Sequence, residues 1–147
     1  MLKEIGPPNE FFLRDPKLAL KGLHDSDLVS LHKENKLQSR PESKWFTLED
    51  RAVIRMEPCN DSVIVHAYLS TEHQYLGFLK QVEQQIFEYL RENTKYTKMI
   101  VPVPESCFHV IVAMKNLGFK YSGRITKKMT WRNKQVDLLY YTKEITW

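Results

Sequence analysis

In the middle of the chain, apolar residues first recur at every second position, as in strands, and then at every third or fourth position, as in a helix. Residues 45–58 contain alternating apolar side chains and predict one strand, and residues 62–70 are almost continuously apolar, as in a strand buried on both faces. Cys59-Asn60-Asp61 lies between them and predicts a hairpin turn. The pattern therefore places two neighbouring strands before the first long helix.

The clearest helix is predicted over residues 75–93. Apolar side chains recur there at helical spacing, and charged or amide side chains take the other side. The apolar stripe, which we expect to face the sheet, consists of Leu76, Leu79, Val82, Ile86 and Leu90.

A short apolar strand over 97–104 follows. Pro102 and Pro104 are predicted to stop it, because proline has no backbone N–H for a strand ladder. The next helix is predicted over 105–117, with Gly118 as the residue just past its end. Its inward-facing residues are predicted to be Phe108, Ile111 or Val112, and Leu117.

Two further strands, 120–131 and 135–145, are predicted around a turn at 132–134, and a short helix over 25–37 precedes all of these elements. Strand-helix-strand units give parallel neighbours and a terminal hairpin gives antiparallel ones, so the fold class is α/β with a mixed sheet. A length of 147 residues favours one domain over 1–147, which is enough to bury a core.

Composition and charge narrow the class of protein. The chain is 42% hydrophobic and 27% charged, as in ordinary globular proteins, and its net charge of +4 suits an anionic ligand but falls short of a nucleic-acid-binding signature. Cys59 and Cys107 have no metal-binding spacing, so we expect reduced thiols and no metal site. With no apolar signal core and no window of about 18 apolar residues, the sequence predicts a cytoplasmic protein without a membrane span.

Three segments carry a resemblance to one known family. "HVIVAMKNLGFKYSGRI" (109–125) combines a helix, Leu-Gly-Phe and a glycine-containing strand, and "RNKQVDLLYYTKEI" (132–145) has the form of a closing hairpin. "SVIVHAYLS" (62–70) leads into the helix at 75–93. Over roughly residues 45–147, this ordered set resembles the GNAT superfamily of N-acyltransferases.

The resemblance implies a single GNAT-like domain with a splayed, mixed central sheet and helices on both faces. It also implies direct attack of an amine on the thioester of acetyl-CoA or another acyl-CoA. Backbone N–H groups at the strand-to-helix junction would hold the pyrophosphate. The implied cofactor-binding residues are Leu69, Gln74, Leu76, Gly77 and Phe78.

The implied chemistry needs a base for the amine proton and an acid for the leaving thiolate. Glu72 and Glu105 follow strand ends, where sites gather in open α/β sheets, and Tyr121 is the acid candidate, with Tyr140 and Tyr141 as alternatives. The implied catalytic residues are therefore Glu72, Glu105 and Tyr121. Further base candidates are Glu57, His66 and His73, of which His66 is first interpreted as a hydrogen-bonded core residue.

Two departures from the family pattern keep two functions open. Met114 stands where the family often has its catalytic tyrosine, and residues 70–78 contribute only Gly77 to the expected glycine turn. One hypothesis is an acyl-CoA-dependent enzyme acting on an amine or a protein. The other is a catalytically degenerate relative that binds an assembly partner, such as a phage head or internal virion protein in the host cytoplasm or the virion.

Overall fold

The computed structural model describes residues 2–5, 42–48, 52–69, 76–131 and 134–146. The strands defined there are β1 (Leu2–Ile5), β2 (Lys44–Leu48), β3 (Ala52–Cys59), β4 (Ser62–Leu69), β5 (Lys98–Pro104), β6 (Lys120–Trp131) and β7 (Lys134–Glu144). Helix α1 (Leu76–Asn93) lies between β4 and β5 in the chain, and helix α2 (Phe108–Asn116) lies between β5 and β6. The predicted helix over 25–37 lies outside the described residues.

The described strands form one sheet in the order β1-β2-β3-β4-β5-β7-β6. β4 and β5 pair in parallel, and the other neighbouring strands of the described sheet pair in antiparallel fashion. The parallel pair is the one joined through α1, as expected for a strand-helix-strand unit. The predicted mixed α/β sheet is confirmed.

The single strand predicted over 45–58 is wrong, because this stretch contains both β2 and β3. The two strands are antiparallel neighbours whose register pairs Leu48 with Ala52. Glu49-Asp50-Arg51 separates them in the sequence. Apolar side chains on either side of this charged triplet kept a common alternation, so the pattern concealed the break.

Helix α1 packs on the sheet through the face that its periodicity predicted. Leu79, Val82, Ile86 and Leu90 are all buried, which confirms the stripe at these positions. Phe78 and Phe87 are buried as well and widen the stripe. These side chains share one apolar core with residues of α2 and of β2, β3, β4, β5 and β7, so both described helices cover the same face of the sheet.

The inward face predicted for α2 is partly wrong. Phe108 is 72% exposed and Val112 is 58% exposed, whereas Ala113 and Met114 are buried. The helix begins at Phe108 rather than at residue 105. Its sequence, FHVIVAM, is apolar on nearly every side, so helical periodicity alone could not select the buried face.

The end of α2 explains which face is buried. Gly118 has a φ of +86°, and its N–H donates to the carbonyl of Lys115 at 3.2 Å, while the Phe119 N–H donates to the carbonyl of Met114 at 2.9 Å. This is the Schellman arrangement, which requires a left-handed residue past the helix end and pairs two apolar residues across it. Met114 and Phe119 are that pair, and both lie in the core. The predicted role of Gly118 is confirmed.

One lysine fastens both helices to β7. The Lys143 ammonium donates to Glu83 Oε1 of α1 at 2.9 Å and to the Leu117 carbonyl, at the end of α2, at 2.6 Å. It also lies 5.2 Å from the ring centroid of Phe87 and 5.6 Å from that of Phe119. A cation is favoured at a helix carboxyl terminus, so this position suits a lysine.

Two further sequence expectations concern the cysteines and a membrane span. Cys59 and Cys107 are free thiols. Neither of the helices in the described part of the chain combines the length and hydrophobicity needed to cross a bilayer.

Candidate active site

The sheet opens between β4 and β5. Their pairing covers Ser62–Ile64 of β4 and Lys98–Ile100 of β5, although β4 continues to Leu69 and β5 to Pro104. Beyond Ile64 the two parallel strands no longer share a ladder, so a gap begins there and lies at their carboxyl ends. The splayed sheet expected from the sequence resemblance is present.

Two prolines of β5 lie on the edge that borders this opening. The Glu105 N–H donates to the Asp137 carbonyl of β7 at 3.0 Å. Because backbone groups alternate sides along a strand, positions 101 and 103 also face β7, whereas Ile100, Pro102 and Pro104 face β4. Proline has no N–H, so β5 has nothing to donate to β4 beyond Ile100.

The predicted effect of these prolines agrees with the structure at Pro104, where β5 ends, and is wrong for Pro102. Pro102 does not stop β5, which runs on to Pro104 and stays paired with β7 along its whole length. The prolines instead remove donors from one edge of the strand only, and that edge borders the opening.

The junction proposed for the cofactor follows β4. β4 ends at Leu69 and α1 begins at Leu76, so the first turn of α1 follows the open end of β4 after residues 70–75. Gly77 is the second residue of α1 and is exposed, whereas Phe78 is buried in the core. Of the other candidates, Glu72, His73 and Gln74 lie outside the described residues.

Glu105 and Tyr121 belong to one polar network, which sequence reasoning did not connect. Glu105 Oε1 accepts the Asp137 N–H at 3.2 Å, and Arg124 forms an ion pair with Asp137 at 3.0 Å. Arg124 Nε donates in turn to the Tyr121 hydroxyl at 3.3 Å, and Tyr121 is 51% exposed. Through Asp137 the Glu105 carboxylate is directed to β7, on the side of β5 away from the opening.

The charges of this region are fixed by its contacts. The hydrogen bond to Tyr121 is the main cause that raises the pKa of Arg124, with the Asp137 and Glu105 carboxylates contributing. Burial is the main cause that raises the pKa of Tyr141 and the cause that raises the pKa of Tyr140. At neutral pH Arg124 is therefore a cation, and both of these phenols keep their protons.

A second polar cluster lies on the sheet face opposite the helices. Trp45, Arg55 and His66 are direct neighbours across β2, β3 and β4, and Arg55 is fully buried. Arg55 Nη2 donates to His66 Nε2 at 2.9 Å and lies 3.1 Å from Glu57 Oε1. Arg55 thus joins two of the base candidates, Glu57 and His66. The sequence signal that could have revealed this cluster is Arg55 itself, a single cation inside the apolar run AVIRM.

His66 is a neutral imidazole. Burial, followed by the charge of Arg55, lowers its pKa to about 3. A guanidinium has only N–H donors, so the hydrogen bond makes Nε2 the acceptor and leaves the ring proton on Nδ1. With this pKa, His66 is a poor base for an amine proton at neutral pH.

A cavity of about 260 Å³ lies at the other end of β4. Met56, Val63, Tyr89 and Tyr96 are among its lining residues, next to the carboxyl end of α1 and the paired start of β4. It is therefore separate from the opening.

Comparison with known proteins supports the fold. No protein-family model matches the chain, and no curated protein matches its sequence significantly. A solved structure described as "a probable acetyltransferase" from Staphylococcus epidermidis matches with a TM-score of 0.68 and 13% identity over 99% of both chains. The spermidine/spermine N-acetyltransferase SpeG from Vibrio cholerae, in complex with manganese ions, matches with a TM-score of 0.66 and 13% identity.

The SpeG match covers 98% of this chain and 91% of that protein. The chain has a GNAT-like fold. In this fold the opening lies between the carboxyl ends of β4 and β5, and His66, the neighbour of Arg55, belongs to the β4 strand that borders it.

Proposed function

We propose that the protein is an N-acyltransferase that uses acetyl-CoA or another acyl-CoA as donor and an amine as acceptor. The observation that supports this most directly is the opening between β4 and β5, at the end of the strand that precedes α1 in the chain. A helix amino terminus offers unpaired N–H groups and a partial positive charge, which suit a pyrophosphate.

The residues at this junction fit an acyl-CoA. Gly77 is exposed on the first turn of α1 and carries no Cβ, so a phosphate can approach its backbone closely. We assign the phosphate contacts to Gln74 and the backbone N–H groups of Leu76, Gly77 and Phe78, with Leu69 at the end of β4 next to the acyl arm. When bound, the cofactor supplies an activated thioester carbonyl for attack by the amine.

The catalytic assignments remain those implied by the resemblance to the GNAT family. Glu72 and Glu105 are the proposed bases, and Tyr121 is the proposed acid. The network of Arg124 and Asp137 holds Tyr121 and Glu105 in one arrangement, and it lies toward β7 rather than toward the opening. Because that network lies on the β7 side of β5, the assignment requires the amine to reach the thioester from that side, and it predicts that Glu105→Gln and Tyr121→Phe each lower acyl transfer.

A thermal unfolding experiment with acetyl-CoA tests the donor. Selective binding to the folded protein at 100 times the dissociation constant should add about 2.7 kcal/mol of stability. Gly77→Val should abolish this effect, because a branched side chain blocks the close approach to the first turn. Lys80→Val is the matched control, since Lys80 is exposed on the next turn of the same helix. An unchanged melting temperature of the wild type at millimolar acetyl-CoA would refute the proposal.

An amine panel with detection of released CoA tests the acceptor. SpeG is described as an acetyltransferase of spermidine and spermine, so polyamines belong in the panel together with simple primary amines and a lysine-containing protein. Release of CoA with one of these classes, and not without an acceptor, identifies the substrate class.

Met114 supports a second candidate, a binding protein that has lost catalysis. Met114 is buried in the core on α2, at the position where the resemblance expects a catalytic tyrosine. A flexible thioether suits a packing role there. Met114→Tyr should then overpack the core and cost about 1–3 kcal/mol of stability. Acyl transfer by the wild type, together with undiminished stability of Met114→Tyr, would rule this candidate out.

A further inference from the structure

His66 lies at the rim of the opening. It follows the last paired residue of β4, Ile64, by two positions and projects on the same side of the sheet. If the register with β5 continued, its neighbour would be Pro102, which leaves that edge of β5 without a donor. His66 is thus a polar side chain on the wall of the gap, on the face opposite α1 and α2.

Arg55 controls which nitrogen of His66 carries the proton. The 2.9 Å contact between Arg55 Nη2 and His66 Nε2 is possible only when Nε2 accepts, so Nδ1 carries the hydrogen. Arg55 is itself held by Glu57 Oε1 at 3.1 Å and lies 5.6 Å from the ring centroid of Trp45. A fully buried guanidinium with these neighbours has little freedom to rotate away from the imidazole.

We propose that Arg55 is a positioning residue that holds His66 as the neutral Nδ1–H tautomer, and that His66 donates this hydrogen to the carbonyl oxygen of the acyl group bound in the opening. The proposal rests on the proposed function, because the acyl group has to occupy the gap between β4 and β5. A donor at this oxygen acts where negative charge develops during attack on the thioester. His66 is then a donor in catalysis rather than the base that a histidine usually suggests.

The electrostatic surroundings agree with this role. On β3, the charged groups on the same face as His66 are Arg55, its direct neighbour, and Glu57, which pairs with Arg55. On β7, Tyr140 lies opposite Pro102 on this face and is a neutral phenol. Burial and the Arg55 charge lower the pKa of His66 to about 3, so the ring remains neutral throughout the range in which acyl transfer would be measured. A neutral imidazole donates without first taking the proton of the attacking amine.

Nitrogen-15 NMR of histidine-labelled protein tests the positioning step without any turnover. We expect His66 to show a protonated Nδ1 and an unprotonated Nε2 from pH 8 to pH 5, with the exposed His109 as an internal reference. Arg55→Met should release His66 from this tautomer. A His66 protonated on Nε2 in the wild type would overturn the positioning role of Arg55.

Acetyl-CoA titration and two His66 variants test the donor step. The Nδ1–H signal should shift when acetyl-CoA binds. His66→Ala should lower kcat by about 100-fold with little change in KM, whereas His66→Asn, whose amide N–H lies near the position of Nδ1, should stay within about 10-fold of the wild type. The pH profile of His66→Asn should match that of the wild type.

The outcomes separate this proposal from the proposed function. If acetyl-CoA raises the melting temperature but leaves the His66 signal unmoved, the donor role is refuted and the enzyme proposal stands. Equal losses in His66→Asn and His66→Ala, with a lost limb of the pH profile, would make His66 a base and refute the donor role. If acetyl-CoA does not bind, both the function and the donor role fail, and the tautomer measurement still decides whether Arg55 positions His66. Should Arg55→Met not fold, Arg55→Lys, which keeps the charge but loses the planar fork, takes its place.

Discussion

The neutral state of His66 makes the stability of the fold sensitive to acid. The pKa of His66 is 6.5 in an unstructured chain and about 3 in the fold. Between these values the unfolded chain binds a proton that the folded chain does not, so the free energy of unfolding rises with pH in this window. The stability that depends on neutral His66 is complete above pH 6.5 and is lost progressively as the pH falls toward 3.

The size of this effect follows from the pKa difference. For a single group, each pH unit below the pKa of the unfolded chain lowers the free energy of unfolding by about 1.4 kcal/mol. Going from pH 7.5 to pH 5 should therefore cost at most about 2 kcal/mol through His66, out of a typical total of about 5–15 kcal/mol.

Urea unfolding at pH 7.5, 6.5 and 5 measures the effect. His66→Gln is the control, because its amide is neutral at every pH and can still accept from Arg55 near the position of Nε2. The wild type should lose about 2 kcal/mol relative to His66→Gln between pH 7.5 and pH 5. Carboxylates and other histidines contribute equally to both proteins and cancel in the difference. A difference that does not vary with pH would show that His66 titrates alike in the folded and unfolded chains.

Three other perturbations have defined outcomes in equilibrium unfolding. Gly118→Ala should destabilise by about 1–2 kcal/mol because its φ is +86°, whereas Gly77→Ala, within α1, should stabilise by up to about 1 kcal/mol; equal effects would contradict the left-handed assignment. Lys143→Met should lower the stability by about 1.5–3 kcal/mol, because it removes two hydrogen bonds of a charged donor. A loss below about 0.5 kcal/mol at both low and high salt would show that Lys143 does not hold the two helices on β7. Leu90→Ala should cost about 2–5 kcal/mol and the exposed Glu88→Ala almost nothing; similar losses would mean that α1 is rotated.

The sequence specified the elements with strong local periodicity. The helix predicted over 75–93 matches the observed α1, Leu76–Asn93, to within one residue at its start. The prediction was accurate because four apolar positions at helical spacing and the polar residues on the opposite side indicate the same helix. The turn at Asn60-Asp61 and the glycine ending α2 were equally local signals, and the structure confirms both. Helical periodicity could not select the buried face of α2, because nearly every side of this helix is apolar, whereas the helix end places Met114 and Phe119 together in the core.

The polar clusters could not be predicted because they depend on the pairing of strands. Arg55 and His66 are 11 residues apart, and the contact between Glu105 and Asp137 spans 32 residues. Residue type indicated that His66 and Glu105 were candidates, but only the register shows that one contacts a buried guanidinium and that the other is directed to β7. The separation of β2 from β3 was missed for the related reason that period-two alternation in the sequence continues across the charged triplet Glu49-Asp50-Arg51.

The two prolines of β5 also affect how many hydrogen bonds must be broken before a molecule can enter the opening. An ordinary pair of parallel strands would have to break several ladder bonds, each with a net contribution of about 0.5–1.5 kcal/mol, before a molecule could enter between them. With Pro102 and Pro104 on that edge, two donors are absent by covalent chemistry, so a complete ladder cannot form there even in the absence of a guest. The gap is therefore preorganised, and a guest gains its own contacts without first displacing the protein's. A complete row of donors on this edge would require the replacement of both prolines, because either one alone still interrupts it.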